Sequence, residues 1–401
     1  MSGYKYSVYK SSNNGGRRGG HGGGGGGNRG GKRRGEYIDP SRFIRKATIV
    51  DAPEYVATHR FEDFALDAIL QANLSAKGFT VPSPIQDQTI ALGLAGKDII
   101  GIASTGTGKT AAFMLPIIQG LITNPQSRAL IIAPTRELAQ QIEQECRSLG
   151  KGTGLTGALL IGGTSMGPQL RDLRNNPRVV FGTPGRIMDH MERRTLSLDN
   201  FNFIVLDEVD RMLDMGFVDD VTQILRAMAP VRQSFFFSAT MDPKVKNLIS
   251  TFSHEPETIS LKTSESSENV HQDIVRYMSP HDKLDKLHDI LLNKDVTKVI
   301  VFDETQRSVE KLSQMLIERG FPADSIHGGK TQGQRQRALD SFKASRTTIL
   351  VATDVAARGI DVADITHVIN FTQPQSYQDY IHRIGRAGRA GKIGYALTFV
   401  N

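Results

Sequence analysis

Residues 98–110 read Asp98-Ile-Ile-Gly-Ile-Ala-Ser-Thr-Gly-Thr-Gly-Lys-Thr110, and this stretch decides the fold. Its first half is a short β-branched run suited to a buried strand. Its second half is a glycine turn that opens a helix. Glycines let successive backbone N–H groups turn inward around phosphate oxygens, and the helix that follows offers its positive N-terminus. In this pattern Thr105, Gly106, Thr107 and Gly108 form the cradle, Lys109 bridges the outer phosphates, and Thr110 sets its hydroxyl on Mg²⁺. A plain strand-to-helix turn needs glycine too, but has no use for Gly-Lys-Thr at that point.

Outward from this loop the chain repeats one grammar. Runs apolar on both faces, RALIIAPT (128–135), RVVFGTP (178–184), FIVLDEV (203–209) and SFFFSAT (234–240), alternate with helical periods such as RELAQQIEQECRSLG (136–150). Strands buried on both faces and spaced by helices predict a parallel sheet covered on each side. KTSESSEN (262–269) is polar and without period, and reads as a linker. The pattern then restarts with KVIVFDE (298–304), ADSIHGG (323–329), TTILVATD (347–354), THVINFT (366–372) and GYALTFV (394–400). Between them, the helix of residues 308–320 carries Val309, Leu312 and Leu316 on one face and stops at Gly320. The expected organisation is two α/β domains, 59–262 and 271–401, joined by a linker at 263–270 and preceded by a disordered tail at 1–50.

The tail holds an unbroken run from Gly22 to Gly27 and two Arg-Gly-Gly elements, at Arg18 and Arg29. Of the net charge of +7, residues 1–50 carry 11 Lys and Arg against 2 acids, or +9; the rest therefore sums to −2. The basicity belongs to the tail, where pliable glycines between arginines suit weak, sequence-tolerant pairing with phosphates and bases. A solubilising linker is the plainer alternative. The single cysteine, Cys146, excludes an intramolecular disulfide and a cysteine-only metal site. It shares a stripe with Leu138, Ile142 and Leu149 and reads as core. The start MSGYKYSVYK has no apolar signal region, and no window offers the roughly 18 consecutive apolar residues of a membrane span. A cytoplasmic protein with no membrane attachment is expected.

FIVLDEV ends in Asp207 and Glu208, carboxylates at the C-terminal end of a strand, the edge at which open α/β sheets bind ligands. Asp207 can hold Mg²⁺ through water, while Glu208 can orient and deprotonate an attacking water. Two acids complementing a helix N-terminus would look the same in isolation. The loop upstream makes nucleoside triphosphate hydrolysis the better reading. A GTPase would need Asn-Lys-x-Asp, and the nearest string, Asn293-Lys294-Asp295-Val296, has valine in the deciding place. Small-molecule kinases rarely need a second α/β unit.

Phe61 precedes Gly78-Phe79 and Ile85-Gln86. AxTGTGKT follows at Ala103, PTRELA at Pro134, Gly162-Gly163, TPGR at Thr183, DEVD at Asp207 and SAT at Ser238. The second half adds VIVFDET at Val299, HGGKTQGQR at His327, TDVAARGID at Thr353 and HRIGRAGR at His382. With these motifs in this order, the sequence from Phe61 to Asn401 resembles the DEAD-box RNA helicases of superfamily 2. The resemblance implies two tandem RecA-like domains, each a parallel sheet flanked by helices.

It also implies roles. Gln86 would read the adenine edge while Phe61 stacks on the base, and Asp361 would hold the ribose, which selects ATP. Arg386 and Arg389 resemble arginine fingers sent from the second domain to the γ-phosphate. His382 and the Ser238-Ala239-Thr240 turn resemble the parts that couple phosphate to closure. RNA backbone contacts are implied at Pro134, Thr135, Arg136, Gly163, Thr183, Gly185 and Arg186, and at Gly328, Gln332, Arg335, Thr353 and Arg358. Two positions depart from the family: Val209 replaces alanine, and Ala387 stands where threonine is common. The expected protein is a monomeric, ATP-driven RNA helicase that bends one strand on closure and parts short duplexes locally. A DNA-directed relative of the superfamily, or an RNA clamp without turnover, are the rivals.

Overall fold

The computed structural model describes residues 37–47, 55–103, 106–261, 268–357, 362, 364–388 and 392–401. Among the described residues, thirteen strands fall in two sheets whose strands all pair in parallel. The first lobe contributes β1 (Ile99–Ile102), β2 (Ala129–Ile132), β3 (Gly157–Leu160), β4 (Val179–Gly182), β5 (Phe203–Leu206), β6 (Gln233–Ser238) and β7 (Glu257–Ser260). The second contributes β8 (Val270–Arg276), β9 (Val299–Phe302), β10 (Ala323–Ile326), β11 (Ile349–Ala352), β12 (His367–Asn370) and β13 (Gly394–Val400). Their orders are β3-β4-β2-β5-β6-β1-β7 and β10-β11-β9-β12-β13-β8.

The central strands explain why both faces must be covered. Every residue of β2, β4, β9, β11 and β12 is buried. In β6, Phe235 and Phe237 feed one apolar layer while Phe236 feeds the layer across the sheet. Each such phenyl ring contributes on the order of 1.5–3 kcal/mol by leaving water. The helix Arg136–Leu149 lays Leu138, Ile142, Cys146 and Leu149 on that first layer. Burial pushes the Cys146 thiol up to about 12, so it is an inert core side chain, as its spacing implies.

Three strands were not legible in the apolar runs. β7 buries only Ile259, β3 is a glycine-led edge, and β8 is a half-polar edge, so none shows a continuous hydrophobic stretch. Val270, placed by sequence at the end of the linker, is the first residue of β8 and fully buried.

The largest departure lies in the tail. Residues 1–36 and 48–50 lie outside the described residues. Residues 37–47, expected to be disordered, pack on the second lobe instead: Ile38 and Phe43 are buried beside Val270, Tyr380, Ile384, Ala396 and Val400. Asp39 caps the short turn Pro40–Phe43 by accepting from Ser41 N–H at 2.8 Å, and Arg45 forms one antiparallel bridge to Gln272 on β8. Two apolar residues suffice because they enter a cavity already lined by apolar side chains.

Candidate active site and RNA-facing edge

Because all strands run parallel, the C-terminal ends of each sheet share one edge, and the loops there divide by strand order. On the first lobe, the loops after β1, β5 and β6, which are neighbours, carry Lys109, then Asp207 and Glu208, then Ala239 and Thr240 just after Ser238 closes β6. Those after β3, β4 and β2, neighbours on the other side, carry Gly163, then Thr183, Gly185 and Arg186, then Pro134, Thr135 and Arg136. One half-edge is anionic chemistry and loop amides; the other is arginine, hydroxyl and glycine.

In the first half, Gly106 and Gly108 adopt φ of +84° and +90°, a backbone region closed to most side chains. A Cβ on Gly108 would stand 2.4 Å from Gln86 Nε2. That amide already donates to the Gly108 carbonyl at 3.2 Å and accepts from Ser83 N–H at 2.9 Å. One N–H and one lone pair of Gln86 are left over by this count, the complement an adenine edge requires. Phe61 is buried edge-to-face against Phe79, with centroids 5.2 Å apart and planes at 86°.

Lys109 is buried at the start of the helix Lys109–Thr123. Its Nζ donates to the Ala103 carbonyl at 3.2 Å and lies 3.6 Å from Asp207 Oδ1. Burial raises the Asp207 carboxyl above the usual carboxylate range despite Lys109. Glu208 behaves oppositely. Burial works to raise it too, but Arg211, Lys109 and Arg386 together overcome that and hold it below its ordinary value. Glu208 also sits at φ +55°, a strained conformation for a glutamate, and ion-pairs with Arg211 while both are buried. Arg386 is a second-lobe residue, so its charge reaches this carboxylate across the cleft.

Asp210 joins the acids to the turn after β6. Its Oδ2 accepts from Ala239 N–H at 3.1 Å, Thr240 N–H at 3.0 Å and the Thr240 hydroxyl at 3.1 Å. The Ser238 hydroxyl donates to the Thr240 carbonyl at 2.7 Å and receives Asp210 N–H at 3.3 Å. Val209 is fully buried in the apolar layer with Met212, and Ala387 is buried in the second lobe, so both departures are accommodated as packing.

Among the described residues, no three His, Cys, Asp or Glu side chains converge on a possible metal. Asp207 with Thr110 offers hard oxygens only, which fits Mg²⁺, an ion that keeps waters and shares phosphate oxygens.

On the other half-edge, Arg136 lies over the Gly162–Gly163 turn: a Cβ on Gly163, at φ +70°, would stand 2.1 Å from Arg136 Nη1. Arg186 Nη1 donates to the Thr164 carbonyl of the same turn at 3.4 Å. Thr135 caps the helix Arg136–Leu149 by accepting from Leu138 N–H at 3.3 Å. On the second lobe, Gly328 follows β10 and Thr353 follows β11, again neighbours. Gln332 and Arg335, expected on RNA, meet the first lobe. Both are buried against Glu137 of the first lobe, with Gln332 Nε2 donating to Oε1 at 3.2 Å and Arg335 Nη2 standing 2.9 Å from Oε2. His382 and Arg386 line one small recess with Asp354 and Asp379. Thr105, Arg358, Asp361 and Arg389 lie outside the described residues.

Arg383 is among the residues that drew no role from the sequence. Arg383 forks onto Asp354 at 2.5 and 2.7 Å and also donates to Asn370 Oδ1 at 3.2 Å and the Thr372 carbonyl at 2.6 Å. It pins the helix Tyr377–Ile384, which leads to Arg386. Its place in HRIGRAGR was the available signal, but neighbouring His382 and Arg386 drew the roles.

Residues 83–248 match the DEAD/DEAH box helicase family and residues 282–391 the helicase conserved C-terminal domain. The DEAD-box ATP-dependent RNA helicase CshA of Bacillus subtilis is 44% identical over 346 residues, 86% of this chain and 70% of that protein. The ATP-dependent RNA helicase CshA of Listeria monocytogenes is 45% identical over 85% of this chain and 66% of its own length. Among solved structures, Saccharomyces cerevisiae Dbp5 bound to RNA and ADP BeF3 superposes with a TM-score of 0.74 at 31% identity, covering 85% of this chain and 89% of that one. Mss116p bound to ssRNA and AMP-PNP gives 0.77 at 30%, covering 87% and 76%. With two parallel α/β sheets that superpose on these helicases, both family models matched and 44% identity to a named relative over most of its length, the chain belongs to the DEAD-box helicase family.

Proposed function

We propose that this ATP-dependent RNA helicase hydrolyses ATP in the cleft between its lobes and uses closure of that cleft to part short RNA duplexes and remodel RNA. The carrying observation is the arrangement at the phosphate edge: buried Lys109 stands 3.6 Å from Asp207 Oδ1, and buried Glu208 pairs with Arg211, with Lys109, Arg211 and Arg386 all favouring its ionised form. An ionised carboxylate at the phosphate edge can accept a proton from an attacking water and orient it in line. Arg386 is thereby in a position to spread over the transferring oxygens as well. Gln86, with one donor and one acceptor to spare, supports adenine selection, and its bond to Gly108 links base reading to the phosphate cradle.

Mg²⁺, held by Thr110 and through water by Asp207, would neutralise phosphate charge. Thr105, Arg389 and Asp361 complete this assignment as phosphate, transition-state and ribose contacts.

RNA is read through its backbone. Arg136 over the Gly162–Gly163 turn, Arg186, Thr135 and Thr183 make a surface of guanidinium, hydroxyl and amide groups, and Gly328, Thr353 and Arg358 extend it on the second lobe. Gln332 and Arg335 serve closure through Glu137. Asp210 then couples the paired carboxylates to the turn after β6, because Ser238 and Thr240 hang on it. Placement is cytoplasmic and the working unit a monomer; no helix among the described residues is long and apolar enough to cross a membrane.

The test is ATPase activity with matched lengths of RNA and DNA. Lys109→Ala and Glu208→Gln should abolish RNA-stimulated hydrolysis, and Arg386→Ala should lower it by roughly 10³-fold or more. Undiminished rates in these variants, or stronger stimulation by DNA, would defeat the reading.

A further inference from the structure

The helix Tyr377–Ile384 is held from two sides. On one, Arg383 ties it to Asp354, Asn370 and Thr372. On the other, its residues Tyr377, Tyr380, Ile381 and Ile384 form a stripe at helical spacing, and that stripe is covered by a segment that precedes the first lobe in sequence. Phe43 is fully buried with its ring centroid 4.7 Å from that of Tyr380, Ile38 is buried beside it, and the Arg42 guanidinium stacks 3.8 Å over the Tyr377 ring. The Tyr380 hydroxyl donates to Gln272 Oε1 at 2.9 Å, and the backbone of Gln272 exchanges hydrogen bonds with Arg45 at 3.0 and 2.7 Å. The same segment therefore caps β8, the edge strand of its sheet, and closes the stripe of the helix that delivers Arg386.

We propose that residues 38–45 are a positioning element of the ATPase, with Phe43 as its anchor: by seating the helix Tyr377–Ile384 they set Arg386 against the cleft. Arg383 holds the polar face of that helix and the Tyr380 hydroxyl ties it to Gln272; Phe43, packed on Tyr380 in one cluster with Val270, covers the apolar face. A residue far from the reacting atoms thus sets the geometry of one that meets them. The sequence around it supplies a short turn capped by Asp39, which fixes the angle at which Phe43 enters.

The inference rests on Arg386 acting at the phosphate, and the experiment separates the two. Four forms are compared at saturating RNA over an ATP series: chains lacking residues 1–35, chains lacking residues 1–47, Phe43→Ala, and Arg386→Ala. The 1–35 deletion should keep the kcat of the full chain. The 1–47 deletion and Phe43→Ala should lose about tenfold to hundredfold in kcat with KM for ATP little changed, as expected for a misplaced catalytic group. Phe43→Leu should restore most of the loss. A synthetic peptide of residues 36–47 should rescue the 1–47 deletion, which a collapsed fold would not permit. Equal kcat in the 1–35 and 1–47 deletions, or a loss that appears in KM alone, overturns the proposal while Arg386→Ala remains inactive. If Arg386→Ala itself keeps full kcat, the active-site reading falls first.

Discussion

Arg335 on the second lobe and Glu137 on the first form a buried pair, Nη2 to Oε2 at 2.9 Å, with neither side chain more than a tenth exposed. The contact is one of charge; the hydrogen bond to this carboxylate comes from Gln332, at 3.2 Å. A charge buried without its partner costs far more than an exposed one. This pair exists only while the lobes are together, so its removal should weigh on closure, not on the folding of either lobe.

Glu137→Gln and Arg335→Met should therefore each reduce RNA-stimulated ATPase by about tenfold or more, and the double variant should lose less than the product of the two. The expected coupling in a double-mutant cycle is roughly 1–3 kcal/mol. Strict additivity would mean that the two residues act on RNA separately.

Arg211 offers a prediction with a sign. Removing its guanidinium leaves Glu208 with burial opposed only by Lys109 and Arg386, so the carboxyl must rise. Arg211→Met should accordingly move the acid limb of the kcat–pH profile to higher pH. Stability is the poorer readout. A lowered Glu208 contributes stability that is complete above its unfolded value and lost as pH falls through the folded one. A raised Asp207 costs stability from its unfolded value upward, so the two oppose each other over the same acid range. An unmoved acid limb would show that Arg211 only packs.

How much of this was legible in the sequence follows from the range of the interactions. Lys109, Asp207, Glu208 and Ser238 each close a local pattern of strand, turn and helix, and the structure brings them to one half-edge. Fold class was readable for the same reason, since β2, β4, β9, β11 and β12 bury every residue and so leave an unbroken apolar run. Partnerships across the cleft left no local trace. Glu137 drew no role from the sequence and Arg335 was expected on RNA, and nothing in either neighbourhood mentions the other. Phe43 and Ile38 were hidden differently. A few apolar residues among charged and polar neighbours such as Asp39, Ser41 and Arg42 cannot build a core, but Ile38 and Phe43 can complete one that the second lobe already has.

Gly163→Ala should weaken RNA binding without touching the ATP site. The position holds φ +70°, where a side chain costs roughly 1–2 kcal/mol, and the new Cβ would displace the Arg136 guanidinium from the turn. Expected outcomes are lower RNA affinity by about tenfold and an unaltered KM for ATP in the absence of RNA. Binding titrations over several RNA sequences should fall together, since a backbone contact is lost and no base is read.

Deleting residues 1–35 is the matching test of the basic tail, and the cut is placed there so that Ile38 and Phe43 stay. Eight Lys and Arg and no acid lie in that segment. If they pair with phosphates, RNA affinity should fall and the slope of log K against log salt should become shallower by about 0.7 for each contact to single strands. ATPase without RNA should be spared, because no residue assigned to the cleft is removed. Equal slopes for the full and shortened chains would make the segment a solubilising linker and leave RNA grip to Arg136, Arg186 and the turns beside them.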